Sequence, residues 1–262
     1  MTMLTRWRAA GLILPSVLAL LLLPVLLGLG TWQLQRKVWK EQLMAKIETR
    51  SKAEPVSYTA ALAQFVQTGD VEYLRVRVTG TFDHAEERHL YAPRESGPGW
   101  HVTTLFKPDG GFPVFVNRGW VPETIKDPAK RAEGQLAGPI TVTGLVRLPQ
   151  AKSMFTPEND IKGNRWYGRD LDAMRWGEAG TPSLDSLAVM RLAAYAPFSI
   201  DADALPANPG GWPKGGTTEI RLYNAHLQYV VTWYGIALTL IGVFAAFARQ
   251  RLSALDSPQI QP

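Results

Sequence analysis

The sequence predicts a membrane α+β protein, with a transmembrane helix near each terminus and a domain rich in antiparallel β-strands between them. Three observations predict it. Ala9 to Gly30 carries no charge and is about as long as the roughly 20 residues that cross a bilayer core. Tyr229 to Ala248 is a second run of the same kind. Between them, several stretches alternate apolar and polar side chains with the period of two that suits a half-buried strand.

Segment 1–8 carries Arg6 and Arg8, which bias it towards the cytoplasm. The first transmembrane helix follows over 9–31. Pro15 and Pro24 are tolerated there because neighbouring groups re-satisfy the backbone. A cleaved signal peptide is the competing reading. The length of the run and the lack of a small-x-small site before Trp32 argue against it. Arg36, Lys37 and Lys40 on the far side oppose this orientation, but a long translocated domain overrides local charge.

Residues 32–228 form the predicted periplasmic domain. Its first part, 32–50, continues helically without Gly or Pro, and places Trp32, Arg36, Trp39 and Leu43 on one face. Glu54 to Ala61 reads as a loop into a short helix. Over 70–171 strand signals dominate. In Tyr73 to Thr81, Leu74, Val76 and Val78 face one way and Arg75, Arg77 and Thr79 the other. Further strands are expected at Arg88–Ala92, Trp100–Phe106, Pro113–Asn117, Ile140–Leu148 and Trp166–Gly168. Turns are expected at Gly97-Pro98-Gly99 and Asp109-Gly110-Gly111. The sum is a small barrel or sandwich. Residues 177–216, rich in Ala, Pro and Gly, read as a long connection of low order with a helix over Leu184–Tyr195.

The second transmembrane helix, 229–248, opens on an aromatic belt of Tyr229, Trp233 and Tyr234. Arg249 and Arg251 close it ahead of a cytoplasmic tail, 249–262. Both termini then lie in the cytoplasm of a multi-pass protein of the plasma (inner) membrane, in contact with the lipid bilayer.

The composition excludes several function classes. The chain has no cysteine, so disulfides, thiolate zinc sites, iron–sulfur clusters and covalent C-x-x-C-H haem are out of reach. The net charge of +5 is concentrated beside the apolar runs, and no nucleic-acid motif accompanies it. No nucleophile elbow, P-loop or dinucleotide fingerprint occurs, so no enzymatic activity is expected.

His226 is the leading candidate site residue. It lies one turn before the second apolar run, and on a helix it shares a face with Val230, Trp233 and Ala237. Imidazole is a common haem-iron ligand, so metal ligation competes here with a structural role at the interface. Arg118, in N-R-G-W-V-P, ends a predicted strand. It reads either as part of a packed turn or as an outward guanidinium for an anionic group. His84 and His89 flank an acidic turn and read as solvated. His101 reads as structural.

Four stretches, in order, resemble the surfeit locus protein family, membrane factors for cytochrome c oxidase assembly. They are L-G-T-W-Q-L-Q-R-K-V-W-K from Leu29, G-P-G-W-H-V-T-T-L-F and V-N-R-G-W-V-P between Gly97 and Pro122, F-T-P-E-N-D-I-K-G-N-R-W-Y-G-R-D-L from Phe155, and N-A-H-L-Q-Y-V-V-T-W-Y-G-I-A-L from Asn224. The resemblance implies a factor that matures the haem a-bearing catalytic subunit of a terminal oxidase, with haem a synthase a further candidate partner. It implies His226 as the haem a iron ligand. Tyr229, Trp233 and Trp32 would then flank the macrocycle, and Arg36 or Arg118 would meet its propionates. Leu105 stands where relatives often have Pro, and Ala225 where a second Asn is frequent. The rival reading is a cofactor-free scaffold for the oxidase subunit.

Overall fold

The structure, a computed structural model, describes residues 2–150, 153–177, 195–218 and 225–256. The chain divides into two compact units, Met1–Lys46 with Arg221–Pro262, and Ile47–Ile220.

The first unit is helical. A short α1 (Met3–Ala9) stops where Gly11 takes φ 67°, a conformation that favours glycine. The expected start at Ala9 is therefore corrected, and α2 runs Ile13–Lys52. It passes Pro24 and continues unbroken from the apolar run into the expected helical extension. The last helix, here α5, spans His226–Asp256. Both α2 and α5 are long and apolar enough to cross a membrane.

α2 and α5 run antiparallel, since Gln33 meets His226, Thr31 meets Tyr234, and Trp7 before α2 meets Phe244. On α2 the less exposed positions include Ser16, Ala19, Leu23, Leu26, Gly30 and Gln33. On α5 they include His226, Val230, Trp233, Ala237, Leu240 and Phe244. Steps of three and four give each helix one seam, as in coiled-coil packing. The predicted shared face of His226, Val230, Trp233 and Ala237 is this seam.

The second unit is a β-barrel. Its strands are β1 (Val56–Ser57), β2 (Arg75–Tyr91), β3 (Gly99–Pro108), β4 (Val114–Pro122), β5 (Ile140–Arg147) and β6 (Ser199–Ala202). The order β1-β2-β3-β4-β6-β5 is closed by pairing of β2 with β5, so the sheet meets itself. β4 and β6 are parallel, as are β1 and β2; the remaining pairs are antiparallel. Val76, Val78, Phe106, Val116, Phe198 and Ile200 fill the core. Each such side chain contributes roughly 1.5–3 kcal/mol by leaving water. α3 (Tyr58–Thr68) adds Tyr58 and Ala61 to it, and is capped by Ser57, whose side chain accepts from the Ala60 N–H. A short α4 (Leu171–Trp176) packs Leu171 and Met174 against Leu105, Phe115 and Trp166.

Several strand expectations are corrected. The acidic stretch around Glu86 is no turn but a bulge inside one long β2. The register jumps there from Asp83 opposite Leu105 to Glu87 opposite Thr104. His89 is consequently buried, not solvated. It bonds Glu87 at 2.8 Å, and Arg131 holds the same carboxylate. The stretch Asn117–Pro122 belongs to β4 rather than following it, and Trp166 makes only an isolated bridge to Leu90. The expected low-order connection over 177–216 contains β6, an interior strand between β4 and β5. The helix expected at Leu184–Tyr195 lies outside the described residues except for Tyr195.

Candidate functional site

His226 occupies the first position of α5. Its Nδ1 lies 2.7 Å from Oε1 of Gln33 on α2. An amide oxygen only accepts, so Nδ1 carries the proton and donates it. That fixes the tautomer and the ring plane. Gln33 was not among the residues the sequence singled out. Its signal was its place three residues after Gly30, on the α2 seam.

The seam is narrow immediately below. A Cβ on Gly30 would come within 2.9 Å of the Tyr234 ring, and the Tyr234 hydroxyl lies 3.1 Å from that of Thr31. Gly30 thus lets α5 approach α2 closely, and the ring on Gly30 sets the height at which His226 meets Gln33.

Around this pair the aromatic side chains are little covered by protein. Tyr229 is 52% exposed and Trp32 is 55% exposed, while Trp233 is half-buried in the seam. Arg36, one turn beyond Gln33, sets its guanidinium 4.0 Å above the Trp39 ring. His226, Tyr229 and Trp233 lie on α5, and on α2 Trp32 precedes Gln33 by one residue and Arg36 follows it by three.

Arg118 belongs to the other unit. It is 2% exposed and sits at the bulge where β4 opposes Val102 with Gly119 and Thr103 with Asn117. Its guanidinium donates to the Gly134 carbonyl and lies 4.8 Å above the Phe82 ring. Burial lowers its pKa to about 10, with the Glu87 charge opposing and that of Arg131 reinforcing the shift. Of the two readings, its contacts are those of the packed one, a carbonyl and a ring.

The donor set of the helical unit fits haem. Among the described residues no three His, Cys, Asp or Glu gather as a metal site. A lone imidazole suits an iron whose other in-plane donors come from a porphyrin. The Gln33 oxygen that accepts from Nδ1 and the exposed Tyr229 ring suit such a ligand.

The sequence profile of the SURF1 family matches residues 20–238. Surfeit locus protein 1 of Homo sapiens is 39% identical over 236 residues, covering 83% of this chain and 72% of that protein. Surfeit locus protein 1 of Takifugu rubripes is 35% identical over 250 residues, covering 88% and 96%. A SURF1-like protein of Drosophila melanogaster is 33% identical over 237 residues, covering 83% and 72%.

Proposed function

The chain belongs to the SURF1 family, and from that premise we propose that it is a non-enzymatic assembly factor for a haem a-containing terminal oxidase. It holds haem a, or the catalytic subunit that receives it, while the cofactor is inserted. The reading rests above all on His226, an imidazole oriented by Gln33 at the start of an apolar helix. In this reading His226 would hold the haem iron, and the Gln33 carbonyl would keep the proton on Nδ1. Tyr229, Trp233 and Trp32 would shield the macrocycle from water. Arg36 offers its charge to a propionate. Bound haem itself supplies a coloured, redox-active iron centre.

The topology belongs to the same proposal. α2 and α5 cross the plasma membrane, Arg6, Arg8, Arg249 and Arg251 keep both termini in the cytoplasm, and the barrel lies in the periplasm.

The test is haem content. Full-length protein purified from cells that make haem a is expected to carry it, and His226→Ala to lose its absorption spectrum. Equal haem and an unchanged spectrum in His226→Ala would exclude this ligation.

A second reading, the cofactor-free scaffold, is favoured by one observation. Met154 and Phe155 are 90% and 87% exposed on a loop of the barrel unit. Two adjacent large apolar side chains in solvent suit a partner surface. Colourless protein that still co-purifies with the oxidase subunit, and loses it in Met154→Ser/Phe155→Ser, would support this reading.

A further inference from the structure

A second candidate site lies in the barrel unit, on residues with no part in the haem reading. Neighbouring strands turn polar side chains into one cavity of about 240 Å³. His101 comes from β3, Asn117 from β4, Arg147 from β5 and Asp201 from β6, and Arg94 and Arg169 join from loops. Charge in a barrel wall is costly unless it is paired.

Asp201 is paired several times over. Its Oδ2 accepts from Arg147 at 3.2 Å, Arg169 at 3.2 Å and Thr218 at 2.8 Å, and its Oδ1 accepts from Asn117 at 3.2 Å. The cations are not matched in return. Three guanidiniums line the cavity against one carboxylate. Glu72 holds Arg147 at 2.9 Å from outside the lining, which still leaves one positive charge in excess. Two donors remain to be used. Nη1 of Arg169 is buried without an acceptor among the described residues. The guanidinium of Arg94 lies 4.8 Å above the Trp120 ring, a contact that leaves its N–H fork available.

We propose that this cavity binds a small oxyanion, a phosphate or a short carboxylate, between Arg94 and Arg169. A guanidinium fork matches the paired oxygens of either group. The volume equals that of about eight water molecules and falls below the usual range for larger organic ligands. A small anion fits, and a macrocycle does not. The site stands whether or not the helical unit carries haem.

Calorimetric titration of full-length protein in a nonionic detergent tests this. Inorganic phosphate, succinate and chloride are compared at constant ionic strength and pH 7. Saturable binding of phosphate or succinate, and none of chloride, is expected, and the tighter of the two identifies the anion class. Arg94→Ala removes a half-buried side chain outside the Asp201 cluster, so the fold is retained, and binding weakens at least tenfold. Arg169→Gln does the same where it folds. No saturable heat in the wild type, or equal binding by Arg94→Ala, overturns the site.

Discussion

The contact between His226 and Gln33 joins two residues 193 positions apart. Under the haem proposal Gln33 acts through the imidazole and is a positioning residue. Replacing it with Leu removes the acceptor and frees the ring to rotate, which typically weakens metal affinity about 10- to 100-fold. Gln33→Leu is expected to bind added haem that much more weakly, with a shifted absorption band, while Gln33→Glu, which keeps an acceptor, retains binding. Spectral titration of both variants checks this, and equal affinity in all three proteins would reduce Gln33 to packing. The place of His226 at the start of an apolar helix was legible in the sequence because an imidazole beside an apolar run stands out. Gln33 was not, because a lone amide in a polar stretch acquires meaning only from the residue it meets. His89 misled for the opposite reason. The acidic stretch of Asp83, Glu86 and Glu87 suggested a solvated turn, yet the strand continues through a bulge and the His89 ring is buried on Glu87.

Among the elements, legibility followed the range of the interactions. The apolar lengths of α2 and α5 and the alternation in β2 and β3 are local signals, and they gave those elements. β6 has four residues in a stretch rich in Pro and Gly, and it exists because β4 and β5 on either side complete its hydrogen bonds. No local pattern carries that. The bulge in β4 is similar. N-R-G-W reads as a strand end, but Arg118 is the extra residue of a bulge, and Gly119 at φ 135° lets the strand continue. A Cβ there would lie 2.0 Å from the Lys214 carbonyl oxygen, so the backbone itself would have to move. Gly119→Ala should therefore destabilise the barrel by on the order of 3 kcal/mol, combining backbone strain with the clash. Urea unfolding followed by tryptophan fluorescence measures it. Unchanged stability would mean that the 119–120 and 214–215 backbones are not held together as described. Gly138→Ala serves as a control: it too has a positive φ, 83°, but nothing within 4 Å, so only the strain remains, about 1 kcal/mol.

At the scale of the molecule, each unit carries polarity where its packing can hold it. The helical unit keeps its polar pairs near the end of an apolar seam, whereas the barrel buries charge. Glu87 is the clearest case. Burial raises its pKa, but the bonds from His89 and Arg131 prevail and bring it down to about 2 from an ordinary 4.5. A carboxyl whose folded pKa is depressed adds stability above its unfolded value and loses it as pH falls through the folded one. The contribution of Glu87 is thus complete above about pH 5 and lost between pH 5 and pH 2, roughly 3 kcal/mol in all. Asp201, whose pKa is likewise lowered against burial by Arg169 and Arg147, titrates in the same direction. Acid unfolding of the wild type alone would therefore not isolate Glu87. Glu87→Gln does, because it leaves Arg131 buried without its counter-charge at every pH. The variant should be less stable than the wild type by about 3–5 kcal/mol at pH 7. That gap should narrow by roughly 3 kcal/mol as the pH falls towards 2, where the wild type also lacks the charge. Urea midpoints at intervals from pH 7 to pH 3 trace the convergence. Parallel curves, offset but never closing, would show that the carboxylate charge contributes nothing and that only the shape of the side chain matters.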